Sequence, residues 1–251
     1  PSGWLMINSA ATHTVVRDVN IMMSATDGGS GIDQVRFSVD AGQTWAAWEN
    51  YTATKPLTLS SGDGPKNVQC QVRDRAGNIS IVGNFITLDT TGPAGSIKLN
   101  ADASATNQTQ VTLSLTANDA FSGLGQMRFS TNNGQLWTAW ENFQATKSIT
   151  LPTGDGLKSV LWQIYDQLWN LSTFSDDILL DTSVPTGSIN INSGAAYTTT
   201  QTVTLNLSGT DTGSGMNKMS FSTDGLVWTT AETYAASKTF SNFLFGFLAS
   251  Y

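Results

Sequence analysis

The sequence predicts an all-β protein: a tandem run of seven-stranded sandwiches, the third of them incomplete or completed by strand addition. Three observations predict it. One stretch of about a hundred residues is written repeatedly, apolar and polar residues alternate at a period of two, and Gly, Asn and Asp fill the gaps between alternating runs. The repeated stretch is clearest at Met127-Arg128-Phe129-Ser130, Asn132-Asn133-Gly134 and Trp137-Thr138-Ala139-Trp140-Glu141. Its upstream copy reads Val35-Arg36-Phe37-Ser38, Asp40-Ala41-Gly42 and Trp45-Ala46-Ala47-Trp48-Glu49. A shorter downstream copy keeps Met219-Ser220-Phe221-Ser222, Asp224-Gly225, Trp228 and Glu232.

The copies stand 92 residues apart, as Asp27, Asp119 and Asp211 show, and as Pro93 and Pro185 repeat. That step is too long for a solenoid repeat and suits one small β-sandwich. The expected domains are 1–91, 92–183 and 184–251, the last truncated and ending in an aberrant aromatic tail.

Taken in order, the strands of a full unit are expected at 4–8, 19–25, 33–39, 44–48, 55–60, 66–73 and 79–88. Val19, Ile21, Met23 and Ala25 share one face, as do Val111, Leu113, Leu115 and Ala117 one step on, and Val203, Leu205, Leu207 and Gly209 after that. Val35 and Phe37 point inward against Arg36 and Ser38. Later strands turn Leu57 and Leu59, then Val68, Cys70 and Val72, then Ile86 and Leu88 toward the core. Asp40-Ala41-Gly42 and Asn132-Asn133-Gly134 supply residues that tolerate positive φ between paired strands. Arg75-Ala76-Gly77-Asn78 closes the last hairpin. Its counterpart Gln167-Leu168-Trp169-Asn170 has no glycine, so that turn should differ in shape or carry strain. The connections Asp89-Thr90-Thr91-Gly92-Pro93 and Asp181-Thr182-Ser183-Val184-Pro185 are short and stiffened by proline, which predicts semi-rigid junctions. After Lys238 the pattern breaks, and residues 239–251 replace the final hairpin with an aromatic-rich tail. Either that tail, or a strand from another copy, completes the third sandwich, or the chain was cut or altered there and the sandwich is incomplete.

As a set, Asp27, Ser30 and Gly31, then Arg36-Phe37-Ser38, Trp45 with Trp48-Glu49, Gly62-Asp63-Gly64 with Lys66, and Arg73-Asp74 with Ala76-Gly77-Asn78 resemble the tandem immunoglobulin-like or fibronectin-III-like repeats of prokaryotic secreted and cell-surface proteins. The resemblance covers two units fully and about two thirds of the third. It implies a Greek-key sandwich, an extracellular or cell-surface address, and a spacer, adhesive or accessory role, with no catalytic residues to carry over. Tyr165 in place of the motif's Arg, Leu168-Trp169 in place of Ala-Gly, and the tail are departures.

Composition excludes several function classes. Charged residues are 12% with net charge −7, and such a surface repels phosphate backbones, so nucleic acid is not expected as a partner. Apolar residues reach 39%, enough for packed cores. The single cysteine, Cys70, permits no intrachain disulfide and reads as a core residue in register with Trp162. No apolar run is long enough to span a bilayer. Pro1-Ser2-Gly3 lacks a signal-peptide pattern, and the start near a repeat boundary suggests a piece of a longer protein.

An enzyme is not expected. The only histidine, His13, is replaced by Ala105 and Tyr197 at the repeat step, and nucleophilic hydrolysis needs an imidazole beside a nucleophile. Clustered His or Cys ligands for zinc are missing from the sequence. Glycosidase-type acids could pair Glu49 or Glu141 with a nearby Asp, but the spacing gives no support for the required separation. No cofactor is expected; the alternative is calcium, with the recurring Asp27, Asp119 and Asp211 and the linker Asp89 and Asp181 as ligand candidates, and the bland reading of Asp27, Asp119 and Asp211 is that each caps a turn. Trp45 and Trp48, three apart on a strand, should point to opposite faces, one packing in the core and one covering an edge. Trp169, in the odd turn, is the candidate for ligand contact. The function that follows is a non-catalytic structural or adhesive spacer in a larger extracellular or cell-surface protein. The alternative is a carbohydrate-binding accessory module of a secreted enzyme. Expected partners are neighbouring domains of the parent, with glycans or another copy through the third repeat beyond those.

Overall fold

The computed structural model describes residues 1–241. The first repeat holds strands β1 (Ser2–Ile7), β2 (His13–Thr14), β3 (Asp18–Thr26), β4 (Ile32–Ser38), β5 (Glu49–Asn50), β6 (Thr54–Thr58), β7 (Gly64–Asp74) and β8 (Ile79–Leu88). They form two sheets, in the order β1-β3-β6 and β2-β8-β7-β4-β5. The second repeat copies this with β9 (Ala94–Leu99), β10 (Ala105–Thr106), β11 (Gln110–Asn118), β12 (Leu124–Ser130), β13 (Glu141–Asn142), β14 (Thr146–Thr150), β15 (Gly156–Asp166) and β16 (Leu171–Leu180). Its sheets run β14-β11-β9 and β10-β16-β15-β12-β13. The third repeat has β17 (Thr186–Ile191), β18 (Val203–Thr210), β19 (Lys218–Met219), β20 (Glu232–Thr233) and β21 (Ser237–Phe240), in sheets β17-β18-β21 and β19-β20. Among the described residues it has no counterpart of the long β7–β8 hairpin. The tail expected to fill that place lies, from residue 242 on, outside the described residues.

By backbone proximity the chain groups into two compact units. One is Pro1–Ile97 with Ser114–Lys147 and Val160–Ser175; the other is Lys98–Leu113 with Ser148–Ser159 and everything from Asp176 onward.

Alternation decides which side chains are inside. Along β3 the buried apolar side chains are Val19, Ile21 and Met23, and along β7 Val68, Cys70 and Val72. With Leu5, Ile7, Val35, Phe37, Leu59 and Ile86 they make one continuous core. Each such burial contributes about 1.5–3 kcal/mol. Burial pushes the Cys70 thiol up to about 12, helped by the nearby charge of Glu49, so it is an inert core group. In the second repeat Trp162 takes the place of Cys70 and is fully buried, packed between Phe143 and Phe174 with ring centroids at 6.3 and 5.1 Å.

Two local features depart from the sequence-based strands. The chain changes sheets after β1, and it does so through Asn8, Ser9 and Ala10, all with φ between 44 and 66°. The same left-handed turn recurs at Asn100–Asp102 and Asn192–Gly194. Left-handed backbone costs about 1–2 kcal/mol per residue. The leading asparagine offsets it: Asn8, Asn100 and Asn192 each accept a hydrogen bond from a strand amide, at Asn20 (2.8 Å), Thr112 (2.9 Å) and Thr204 (2.8 Å). Beyond the turn β2 runs parallel to β8, a short pairing that alternation does not reveal. The strand expected at 44–48 is a loop instead, and pairing begins only at Glu49.

Trp162→Ala should cost about 3–5 kcal/mol, the cost of emptying a large core site. Trp162→Phe should cost less, because the indole N–H has no acceptor in the core. Denaturant unfolding of both variants checks the order.

Candidate metal centre

The recurring aspartates hold turns together. Asp27 accepts from the amides of Gly29 (3.0 Å) and Gly31 (2.9 Å). Asp119 accepts from Phe121 (3.2 Å), Ser122 (2.9 Å) and Gly123 (2.6 Å), and Asp211 from Gly213 (3.1 Å) and Gly215 (2.8 Å). A second aspartate caps the last hairpin turn. Asp74 takes the amides of Ala76 and Asn78, and Asp166 those of Leu168 and Asn170, all at 2.8–2.9 Å. Within that turn Gly77 has φ +90°, and Trp169 must take the same left-handed conformation at φ +70°. This is the strain expected of a turn without glycine, about 1–3 kcal/mol.

Asp89 leads out of β8 into the second repeat. Its amide donates to the Thr14 carbonyl at 3.0 Å, and its own carbonyl accepts from the Asn170 side chain at 3.1 Å. Its carboxylate is fully buried, and neither oxygen has a hydrogen-bond partner. It faces Asp119 and the fully buried Asp166, one carboxylate oxygen of each lying within 4.8 Å of the others. Of the five calcium candidates read from the sequence, this cluster unites Asp89 and Asp119. Asp27 lies elsewhere, 3.2 Å from the Pro1 amino group. Asp181 takes the amides of Ser183 (3.2 Å) and Ser214 (2.5 Å), and the hydroxyl and amide of Ser214 hold it below the usual carboxylate range. Gly213 is forced there, since any Cβ would strike the Asp181 carboxylate. Asp166 is the member that sequence reasoning missed. Its signal was its place in the turn motif, 92 residues after Asp74.

A further aspartate in each full repeat ties the linker down. Asp63 accepts from the hydroxyls of Thr90 and Thr91, each at 2.8 Å. Asp155 accepts from the Thr182 amide (2.8 Å) and hydroxyl (2.7 Å) and from the Ser183 hydroxyl (2.5 Å). The hydroxyls of Ser183 and Thr182 pull Asp155 down to about 2.

The tryptophans behave differently from the strand-based expectation. Because 44–48 is a loop, Trp45 and Trp48 both reach Arg36, whose guanidinium lies 5.3 and 4.6 Å from their ring centroids. Both rings are half-buried and neither is a core residue. Arg73 packs on Trp48 at 4.6 Å. In the second repeat Arg128 lies 4.8 and 4.4 Å from Trp137 and Trp140. Trp140 meets Tyr165 edge-on at 4.6 Å, and Tyr165 stacks on Trp169 at 4.4 Å. Trp169 itself is 72% exposed. Arg73 and Tyr165 belong to the long hairpin, so Ala231 replaces the tryptophan where the described residues have no such hairpin.

No family model matches the chain, and no curated protein matches it. Similar solved structures are fibronectin-III-like modules and tandem adhesin repeats. The fibronectin(III)-like modules of Clostridium thermocellum CbhA are 15% identical, with 70% of this chain and 93% of that one covered and a TM-score of 0.33. A structure described for the host cell surface retention of a 1.5-MDa bacterial ice-binding adhesin is 13% identical over 94% of this chain and 85% of that one, at 0.43. A tetra-tandem repeat in the extending region of a large adhesion protein is 12% identical over 96% of this chain and 65% of that one, at 0.29.

A carboxyl whose pKa falls from 3.8 to about 2 on folding stabilises the fold above pH 4 and loses that contribution as pH drops through 2. Asp155→Asn should therefore flatten the acid limb of the stability curve between those values. Thermal melts from pH 2 to pH 5 check this.

Proposed function

We propose that the chain is a non-catalytic structural or adhesive spacer within a larger extracellular or cell-surface protein, built from repeats 1–91, 92–183 and 184–251. The observation that carries this reading is that the linkers belong to the folded repeats. Thr90 and Thr91 are bound by Asp63, and Thr182 and Ser183 by Asp155, so the chain leaves each full sandwich already hydrogen-bonded to it. Gly92 packs so closely on Asn170, Leu171 and Ser172 that it has no room for a side chain. A spacer transmits extension through its junctions, and loose linkers would absorb it. No helix among the described residues is long and apolar enough to cross a membrane.

One observation favours carbohydrate binding as a second reading. Trp169 is held at positive φ with its ring propped against Tyr165 and largely open to solvent. A flat aromatic face held in place is what sugar rings stack on.

Limited proteolysis should leave residues 89–93 and 181–185 uncut while the strands remain folded. Early cleavage at either linker would contradict the spacer reading. A glycan array probed with the wild type and Trp169→Ala separates the second reading: reproducible binding lost in the variant supports it, and absence of binding removes it.

A further inference from the structure

We infer that Asp89, Asp119 and Asp166 form a site for a hard divalent cation, calcium, at the passage from the first repeat into the second. Three carboxylates converge there, and the decisive one is Asp89. It is fully buried, and both of its oxygens lack a hydrogen-bond donor. A buried carboxylate in that condition is strongly disfavoured unless a cation or a proton meets it. No Lys or Arg forms an ion pair with any of the three among the described residues, whereas Glu49, Glu141 and Glu232 are each paired to a lysine at 2.6 Å. The chain thus pairs acids with lysine elsewhere and leaves this cluster to something else.

Size and chemistry select the ion. Calcium bonds oxygen at 2.3–2.6 Å, so two oxygens on one ion stand at most about 5 Å apart. The three aspartates place oxygens within 4.8 Å of one another. A group made of carboxylates, without His or Cys as a member, suits calcium better than zinc or copper. Magnesium holds its waters tightly, which a dry carboxylate such as Asp89 does not accommodate.

The related position at the next passage is satisfied without an ion. Asp181 corresponds to Asp89, but its carboxylate is satisfied by the amides of Ser183 and Ser214. The occupant would fasten the linker to two turns of the following repeat, those capped by Asp119 and Asp166.

The full chain tests this. Titration calorimetry with calcium should give one ion per chain, and calcium should raise the Tm by about 5 °C over the chelator-treated protein. Asp89→Asn should abolish both effects, while its Tm in chelator equals or exceeds that of the wild type, because a buried charge has gone. Asp181→Asn should keep both. Terbium provides a readout on the wild type alone: excitation of Tyr165 and Trp169, next to the Asp166 turn, should give sensitised emission that calcium displaces. Wild type that takes up no heat and shows no Tm shift would overturn the inference, as would Asp89→Asn binding calcium like the wild type. So would a wild type that calcium leaves unchanged and that acidification stabilises, since a proton then holds the cluster. None of these failures would touch the linker proteolysis result, so the site and the spacer reading stand or fall separately.

Discussion

Backbone amides that leave a strand need an acceptor, and in this chain aspartate carboxylates supply it at several recurring turns. The constraint is severe because an unpaired buried amide costs as much as a lost hydrogen bond. Asp27, Asp119 and Asp211 gather the amides after the second long strand of each repeat, and Asp74 and Asp166 those of the last hairpin turn. Asp63 and Asp155 extend the same device to the linkers. The sandwiches obtain their cohesion from alternating side chains, but their ends are defined by these carboxylates. Asp89 stands out because it does the opposite, presenting an acceptor with nothing to accept from.

The three copies differ where packing has been redistributed. Cys70 in the first repeat and Trp162 in the second fill equivalent core sites with very different volumes, and Phe143 and Phe174 gather around the larger one. Gly77 and Trp169 occupy equivalent left-handed positions, one at little cost and one under strain. In the third repeat Trp228 and Leu226 are exposed, and an open groove of about 450 Å³ is lined by Leu207, Met219, Phe221 and Tyr234. Met219 and Phe221 match Val35 and Phe37 of the first repeat, which are buried and lie beside β7 in the same sheet.

Most of the strands were legible because alternation and the 92-residue step are local or periodic signals. The buried set along β3, β7 and β11 follows directly from them. The left-handed turn at Asn8–Ala10 was not legible, because its reason is a sheet change that only the tertiary arrangement requires. The loop at 44–48 was misread as a strand, since tryptophans at strand-like spacing say nothing of an arginine waiting between them. Asp89 and Asp119 could be singled out by recurrence. Asp166 recurs as well, 92 residues after Asp74, but its meeting with them was not legible, because it arises only when the linker folds against the turn that Asp166 caps, a convergence of residues 77 apart in sequence.

If the linker is a structural member of the fold, damage in the second repeat is felt where the first one ends. Residue-resolved hydrogen exchange on the full chain carrying a second-repeat lesion, Asn170→Ala, tests it most directly, because that side chain holds the Asp89 carbonyl and the Asp166 carboxylate together. Faster exchange at the Asp89 amide, with the amides of β3 unchanged, is the predicted result. Unaltered protection at Asp89 would show that the first repeat closes without its neighbour and would contradict the account.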